Sequence, residues 1–169
     1  MILERLLKDR IVAVVGPIDD AAASEVIAKL LLLQSRDSRE PASLYVTSQG
    51  GAVNASLAIV SVMDELKCPV HTYAIGPSHA TAAVIVAHGE GGFRYGLPSS
   101  RLSISGCWVK SDSEIQRDEI NAMNLLIAGL LAKDTGQTLE RIQADMADEI
   151  IFKPDEAIEY GLIDEILTS

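Results

Sequence analysis

The chain has 169 residues, 48% of them apolar, enough to bury the core of one domain, and carries a formal charge of -10 from 24 acidic against 14 basic residues. That balance excludes an electrostatic nucleic-acid surface, which needs clustered Lys and Arg, so neither DNA nor RNA is an expected partner. Two cysteines, Cys68 and Cys107, are too few for a disulfide framework and imply free thiols in a reducing compartment such as the cytoplasm.

The opening MILERLLKDR interleaves charge with leucine and has neither the unbroken apolar region nor the small-residue cleavage site of a signal peptide. No run reaches the roughly 18 apolar residues of a membrane span, because Gly76, Pro77, Ser78 and His79 interrupt the longest one. No membrane partner is expected. Ile11–Val15 (IVAVV) is apolar throughout and predicts a strand buried on both faces. Asp20 is placed to cap a helix over Ala21–Gln34, with Val26, Ile27, Leu30 and Leu31 recurring at helical spacing. After the polar connector Gln34–Ser43, the pattern repeats with a strand over Leu44–Ser48, a turn at Gly50-Gly51 and a helix over Asn54–Leu66. A strand VHTYAIG, a turn and a helix over Ala80–His88 follow. Alternation of this kind predicts βαβ units and a largely parallel sheet covered on both sides. Short strands FRYGL and RLSIS flank Pro98-Ser99-Ser100. A long helix over Ser113–Lys133 then carries an apolar stripe of Ile115, Ile120, Met123, Leu126, Ile127, Leu130 and Leu131. That stripe is wider than one sheet contact requires, so part of it is expected to meet another subunit. Two helices close the chain, one after Thr138 and one from Pro154, a residue tolerated in a first turn, with Gly161 as C-cap.

Three blocks stand in fixed order: LYVTSQGGAVNASLAI, then GLPSSR, then DTGQTLERIQAD with DEAIEYGLID. Together they resemble the Clp protease proteolytic subunit, whose members read close to LYINSPGG, LPNSR, HTGQ and EAxEYGLID at those places. The resemblance covers almost the whole chain. It implies an α/β fold, the crotonase-like spiral of ββα units with a protruding helical handle, as a single domain over residues 1–169. It also implies subunits assembled into seven-membered rings, homo- or hetero-oligomeric, stacked in pairs around a proteolytic chamber that Clp ATPases feed.

The family's chemistry needs a serine nucleophile, an imidazole to take its proton and a carboxylate to orient the imidazole. Carried over by spacing, those positions are Ala80, Ser105 and Glu149, the last with Asp148 beside it. The first has no hydroxyl and the second no imidazole. The family's oxyanion hole, two backbone N–H groups, falls on Gly51 and Thr81, and backbone donors survive side-chain change. A rearranged site would use Ser78 or Thr81 as nucleophile with His79 as base. Against it, neighbours on a tight turn point apart, and hydroxyls at a helix start more often cap N–H groups, so Ser78 and His79 are expected as turn and cap residues. His71 and His88 are expected to be structural.

Between the base position and TGQ the chain is about five residues shorter than the family pattern. GCWVKSDSE therefore replaces the glycine-rich strand that aligns substrate by β-augmentation. The chain begins close to the family's first core helix, so the segment forming the axial pore loops is expected to be largely absent, leaving ATPase engagement open. GEGG lacks the lysine and following helix of a phosphate loop, and no zinc-site spacing occurs, so neither a metal nor a cofactor is expected. In its degenerate triad the chain is similar to the inactive ring subunits of cyanobacteria and plastids, which implies a cytoplasmic or plastid-stromal pseudoenzyme of an ATP-dependent protease. The alternatives are a serine peptidase with a rearranged site, a crotonase-like enzyme using only the oxyanion hole, and a stand-alone homo-oligomeric module.

Overall fold

The computed structural model describes residues 2–107 and 113–168. The elements are α1 (Ile2–Lys8), β1 (Ile11–Val15), α2 (Asp20–Arg36), β2 (Ala42–Ser48), α3 (Val53–Glu65), β3 (Val70–His79) and α4 (Thr81–Ala87), followed by β4 (Arg94–Gly96), β5 (Arg101–Ser103), α5 (Glu114–Thr135), α6 (Leu139–Ala147), β6 (Ile151–Phe152), α7 (Pro154–Tyr160) and β7 (Glu165–Ile166). Among the described residues the strands form one sheet in the order β1-β2-β3-β4-β7, with every neighbouring pair parallel. Strand β5 lies parallel to β3, and β6 runs antiparallel to β5. The expected alternation of strand and helix therefore produces the expected α/β architecture. Helix α1 and the two-residue strands β6 and β7 carry too little periodic pattern to be read in advance.

Helices cover one face of the sheet, not both. Val12, Val14, Leu44, Val46, Thr72 and Ala74 point into a core shared with Val26, Leu30, Leu33, Ile59 and Ile85, whereas their strand neighbours face outward. Val15 is 68% exposed. Tyr45, Tyr73 and Tyr95 stand in register on the outward face, stacked with centroids 4.5 and 5.0 Å apart, beside the stacked pair His71–Phe93. The expectation of a two-sided sheet fails because IVAVV is apolar at every position, so its alternation between faces leaves no trace in composition.

The first long helix also begins one residue earlier than expected. Asp19, not Asp20, is the N-cap of α2, and its Oδ1 accepts the Ala22 N–H at 2.8 Å. Asp20 falls in the first turn, where a carboxylate still complements the helix dipole. Accordingly, Asp19→Ala is expected to cost about 1 kcal/mol in thermal or urea unfolding, and Asp20→Ala a few tenths. The face that α2 buries is Ala23, Val26, Leu30 and Leu33, while Leu31 is 48% exposed.

Strand β3 organises the rest. Its first half pairs with β4 (Thr72↔Arg94 to Ala74↔Gly96) and its second half with β5 (Pro77↔Arg101 to His79↔Ser103). The register against β2 slips between Ala74 and Ser78, opposite Val46 and Ser48. Gly76 and Pro77 lie in that slip, where proline's missing N–H costs no ladder bond. The sheet therefore forks at residues expected to form a turn, and β3 runs on to His79.

Helix α5 extends over 22 residues, about 33 Å at 1.5 Å per residue. Glu114–Glu119 are exposed throughout, and only Ile127, Ala128 and Leu131 are buried, so its first half projects from the body as a handle. Ile115, Leu125 and Leu126 stay 80%, 51% and 53% exposed, so the wide stripe is only partly used within the chain.

Candidate functional site

Strand β3 passes into α4 through one residue. Ala80 takes φ 51° and ψ -122°, a conformation that costs a residue with a Cβ about 1–3 kcal/mol. Hydrogen bonds on both sides hold it: its N–H donates to Ser103 O at 3.0 Å, and its carbonyl accepts from Ala83 and Val84 at 3.1 and 3.4 Å. This is a strand-to-helix elbow, a geometry that elsewhere presents a nucleophile. Here the side chain is a methyl group.

The Gly50-Gly51 loop lies against the elbow. Gly50 adopts φ +88°, and a Cβ there would come 2.9 Å from His79 O, 3.1 Å from Ala80 Cβ and 3.3 Å from Thr81 N. At Gly51 a Cβ would overlap Ile18 O, because the Ala52 N–H donates to that oxygen across this loop. Both glycines are therefore required by close backbone approach. The Gly51 N–H donates to Thr81 Oγ1 at 3.2 Å, and Ser56 Oγ donates to the same oxygen at 2.9 Å. Thr81 itself is only 6% exposed.

Strand registers bring the other positions to this end of the sheet. Parallel pairing sets His79 beside Ser103, which places Ala80 level with Ile104. Antiparallel pairing sets Ser103 opposite Ile151, and Ile104 N–H donates to Ile150 O at 3.2 Å, while Glu149 lies in the turn that precedes β6. Ala80 thus follows the end of β3, Ser105 lies two residues beyond β5, and Glu149 lies two residues before β6. Ser105 is half-buried, while Glu149 is exposed at φ 53° and Asp148 caps α6. No proton acceptor of the imidazole type is supplied by any of the three.

Ser78 and His79, considered for a rearranged site, do not face one another. Ser78 and His79 are consecutive strand residues rather than turn and cap residues, and therefore point to opposite faces. Ser78 is fully buried, its Oγ directed at Val46 O at 3.4 Å. His79 Nδ1 is buried with no hydrogen-bond partner among the described residues. His71 is stacked on Phe93 at 4.4 Å. His88, at the C-cap of α4, is held between Asp134 (Nδ1 to Oδ2, 2.7 Å) and Asp64 (Nε2 to Oδ1, 3.3 Å). The His71 and His88 rings are thus committed elsewhere.

Beyond Ser105 the chain meets α5. The Cys107 N–H donates to Asn124 Oδ1 at 2.7 Å, and Asn124 Nδ2 donates back to Cys107 O at 3.3 Å. This amide copies the pairing that a neighbouring strand would make. Burial pushes the Cys107 thiol pKa up, away from the reactive thiolate. Gly106, Asn121, Asn124, Leu125, Gln143 and Met146 line an adjoining cavity of about 360 Å³. Of the replacement segment GCWVKSDSE, residues 108–112 lie outside the described residues.

Spacing alone did not reveal the roles of Thr81 Oγ1, Ser56 and Asn124. Their partners are 30, 25 and 17 residues away in the chain, and Ser, Thr and Asn are common enough that nothing marks them. Among the described residues no group of three or more His, Cys, Asp or Glu is placed to hold a metal ion, and no helix is long and apolar enough to cross a membrane. The family model described as Clp protease matches residues 1–169.

Proposed function

The chain belongs to the Clp protease family, and from that premise we propose that it is a non-catalytic subunit, a single domain, of a Clp-type proteolytic ring. In this reading Ala80, Ser105 and Glu149 stand at the positions of nucleophile, base and acid, and the Gly51 and Thr81 N–H groups at those of the oxyanion hole. Its role is to contribute surfaces to a homo- or hetero-oligomeric ring with family relatives, tuning assembly, substrate access or docking of a Clp ATPase. The cytoplasm, or a plastid stroma, is the compartment that fits two free thiols.

The observation that carries the proposal is the elbow itself: its strained backbone is kept at a residue whose side chain is a methyl group. Strain of that kind persists where the surrounding structure over-determines it, which the bonds to Ser103, Ala83 and Val84 do here. The rearranged peptidase finds no support, because Ser78 is fully buried on the face away from His79. The crotonase-like reading needs two free donors, and the Gly51 N–H is already bonded.

The test is purification of the protein alone, followed by fluorogenic peptide hydrolysis and labelling with a serine-directed fluorophosphonate. Neither turnover nor labelling is expected. Activity that disappears in Ser78→Ala or Thr81→Val would establish a rearranged enzyme instead. Mass in solution and co-purification with an intact-triad relative from the same genome then decide between mixed and homo-oligomeric rings.

A further inference from the structure

We propose that the Thr81 hydroxyl is a built-in occupant of the anion-binding position beside Ala80, closing the site to a carbonyl oxyanion independently of the missing nucleophile. The inference rests on the family reading for what the Gly51 and Thr81 N–H groups would bind, and not on the loss of the triad.

An oxyanion hole works by aiming preorganised N–H donors at one point, about 2.7–3.1 Å from the oxygen they stabilise. In this chain the Gly51 donor is aimed at Thr81 Oγ1. Ser56 Oγ donates to that same oxygen, so both of its lone pairs are engaged, as those of a bound oxyanion would be. The hydroxyl is not free to swing clear. Thr81 is 6% exposed, and every other residue of α4 is buried around it. Gly50 packs against the other donor, where a Cβ would come 3.3 Å from Thr81 N. The Gly51 donor of the pair is satisfied from within.

The consequence is specific: restoring the three reactive side chains does not restore a reactive site while Thr81 keeps its hydroxyl. The first measurement is amide hydrogen exchange, read by NMR on the wild-type protein, Thr81→Val and Thr81→Ala. The valine variant keeps the shape of threonine and protects against loss of fold. The Gly51 amide is expected to exchange about tenfold faster or more in both variants, as a donor deprived of its acceptor does. Equal exchange in wild type and Thr81→Ala overturns the proposal.

The second measurement compares fluorophosphonate labelling of Ala80→Ser/Ser105→His/Glu149→Asp with and without Thr81→Ala. In that reaction the introduced hydroxyl oxygen bonds to phosphorus, fluoride leaves, and the hydroxyl proton passes to the introduced imidazole. Labelling is expected to be at least about a hundredfold faster when Thr81→Ala is present, the usual effect of one oxyanion donor. Equal rates overturn the proposal. Labelling of the wild-type chain would overturn the non-catalytic reading instead, and the Gly51 exchange rates would still decide the Thr81 contact.

Discussion

Replacing Arg94 by methionine lowers the unfolding free energy by about 3–5 kcal/mol, the range for breaking a buried, hydrogen-bonded ion pair. Arg94 is 7% exposed and forks onto Asp164, with Nε to Oδ2 at 2.9 Å and Nη2 to Oδ1 at 2.6 Å. Its remaining nitrogen, Nη1, donates to Ala87 O, Asp134 O and Gly161 O at 3.1, 2.9 and 2.7 Å. Those carbonyls lie at or next to the C-terminal ends of α4, α5 and α7. One guanidinium therefore answers the unpaired carbonyls and negative dipole ends of three helices at once. Methionine fills similar volume but leaves Asp164 charged and the carbonyls without a donor. Arg94→Lys recovers only part of the loss, because an ammonium group lacks the planar fork.

Urea unfolding at fixed protein concentration measures this, since any assembly makes stability depend on concentration. A loss below about 1 kcal/mol for Arg94→Met would show that water replaces the clamp. The acid limb provides a second check through Asp164. Burial alone would raise its carboxyl pKa, but hydrogen bonds from the Arg94 side chain and backbone and the Gly92 N–H hold it below the ordinary carboxylate value. Its contribution is present above the unfolded carboxylate pKa, about 3.9, and is lost as pH falls through the lower folded value. Asp164→Asn should therefore remove stability at neutral pH and flatten the acid limb.

Replacing His88 by alanine costs about 2–3 kcal/mol at pH 6, because it strands the Asp134 carboxylate without its donor. The imidazole is 5% exposed and spans the end of α4, Asp64 of α3 and Asp134 of α5, with Lys133 nearby. Burial alone would push its pKa down. The hydrogen bond and charge of Asp134, with the charge of Asp64, outweigh burial and the opposing Lys133, so the net shift is upward. A histidine whose folded pKa is raised contributes stability that is fully present below the unfolded value, about 6.5, and lost as pH rises through the folded one. The stability difference between wild type and His88→Gln should therefore shrink as pH is raised from 6 through the folded pKa. A difference that stays constant across that window would show that folding does not raise the His88 pKa. Because His88 also ties α5 to the body, its titration bears on how firmly the handle is seated.

The open face of the sheet shows what a linear reading misses. Tyr45, Tyr73 and Tyr95 are 28 and 22 residues apart, and only the register of β2, β3 and β4 stacks them. In the same way Ser78 belongs to a turn by its GPSH context, yet pairing with β5 draws it into a strand. Local propensity is a weak prior wherever a neighbouring strand offers backbone hydrogen bonds.

By itself the sequence determined the order and kind of the principal elements, since hydrophobic period, caps and glycine positions act over a few residues. It also determined that position 80 carries no hydroxyl and position 105 no imidazole, because Ala80 and Ser105 lack those groups in any conformation. Tertiary structure alone decided which sheet face stays open, where β3 forks, and that Ala80 holds the strained elbow. It alone also brought Thr81 Oγ1 onto the Gly51 N–H and Arg94 onto three helix ends. The reason is physical: these contacts join residues separated by many positions, whose hydrogen-bonding groups find one another only once the strands are in register.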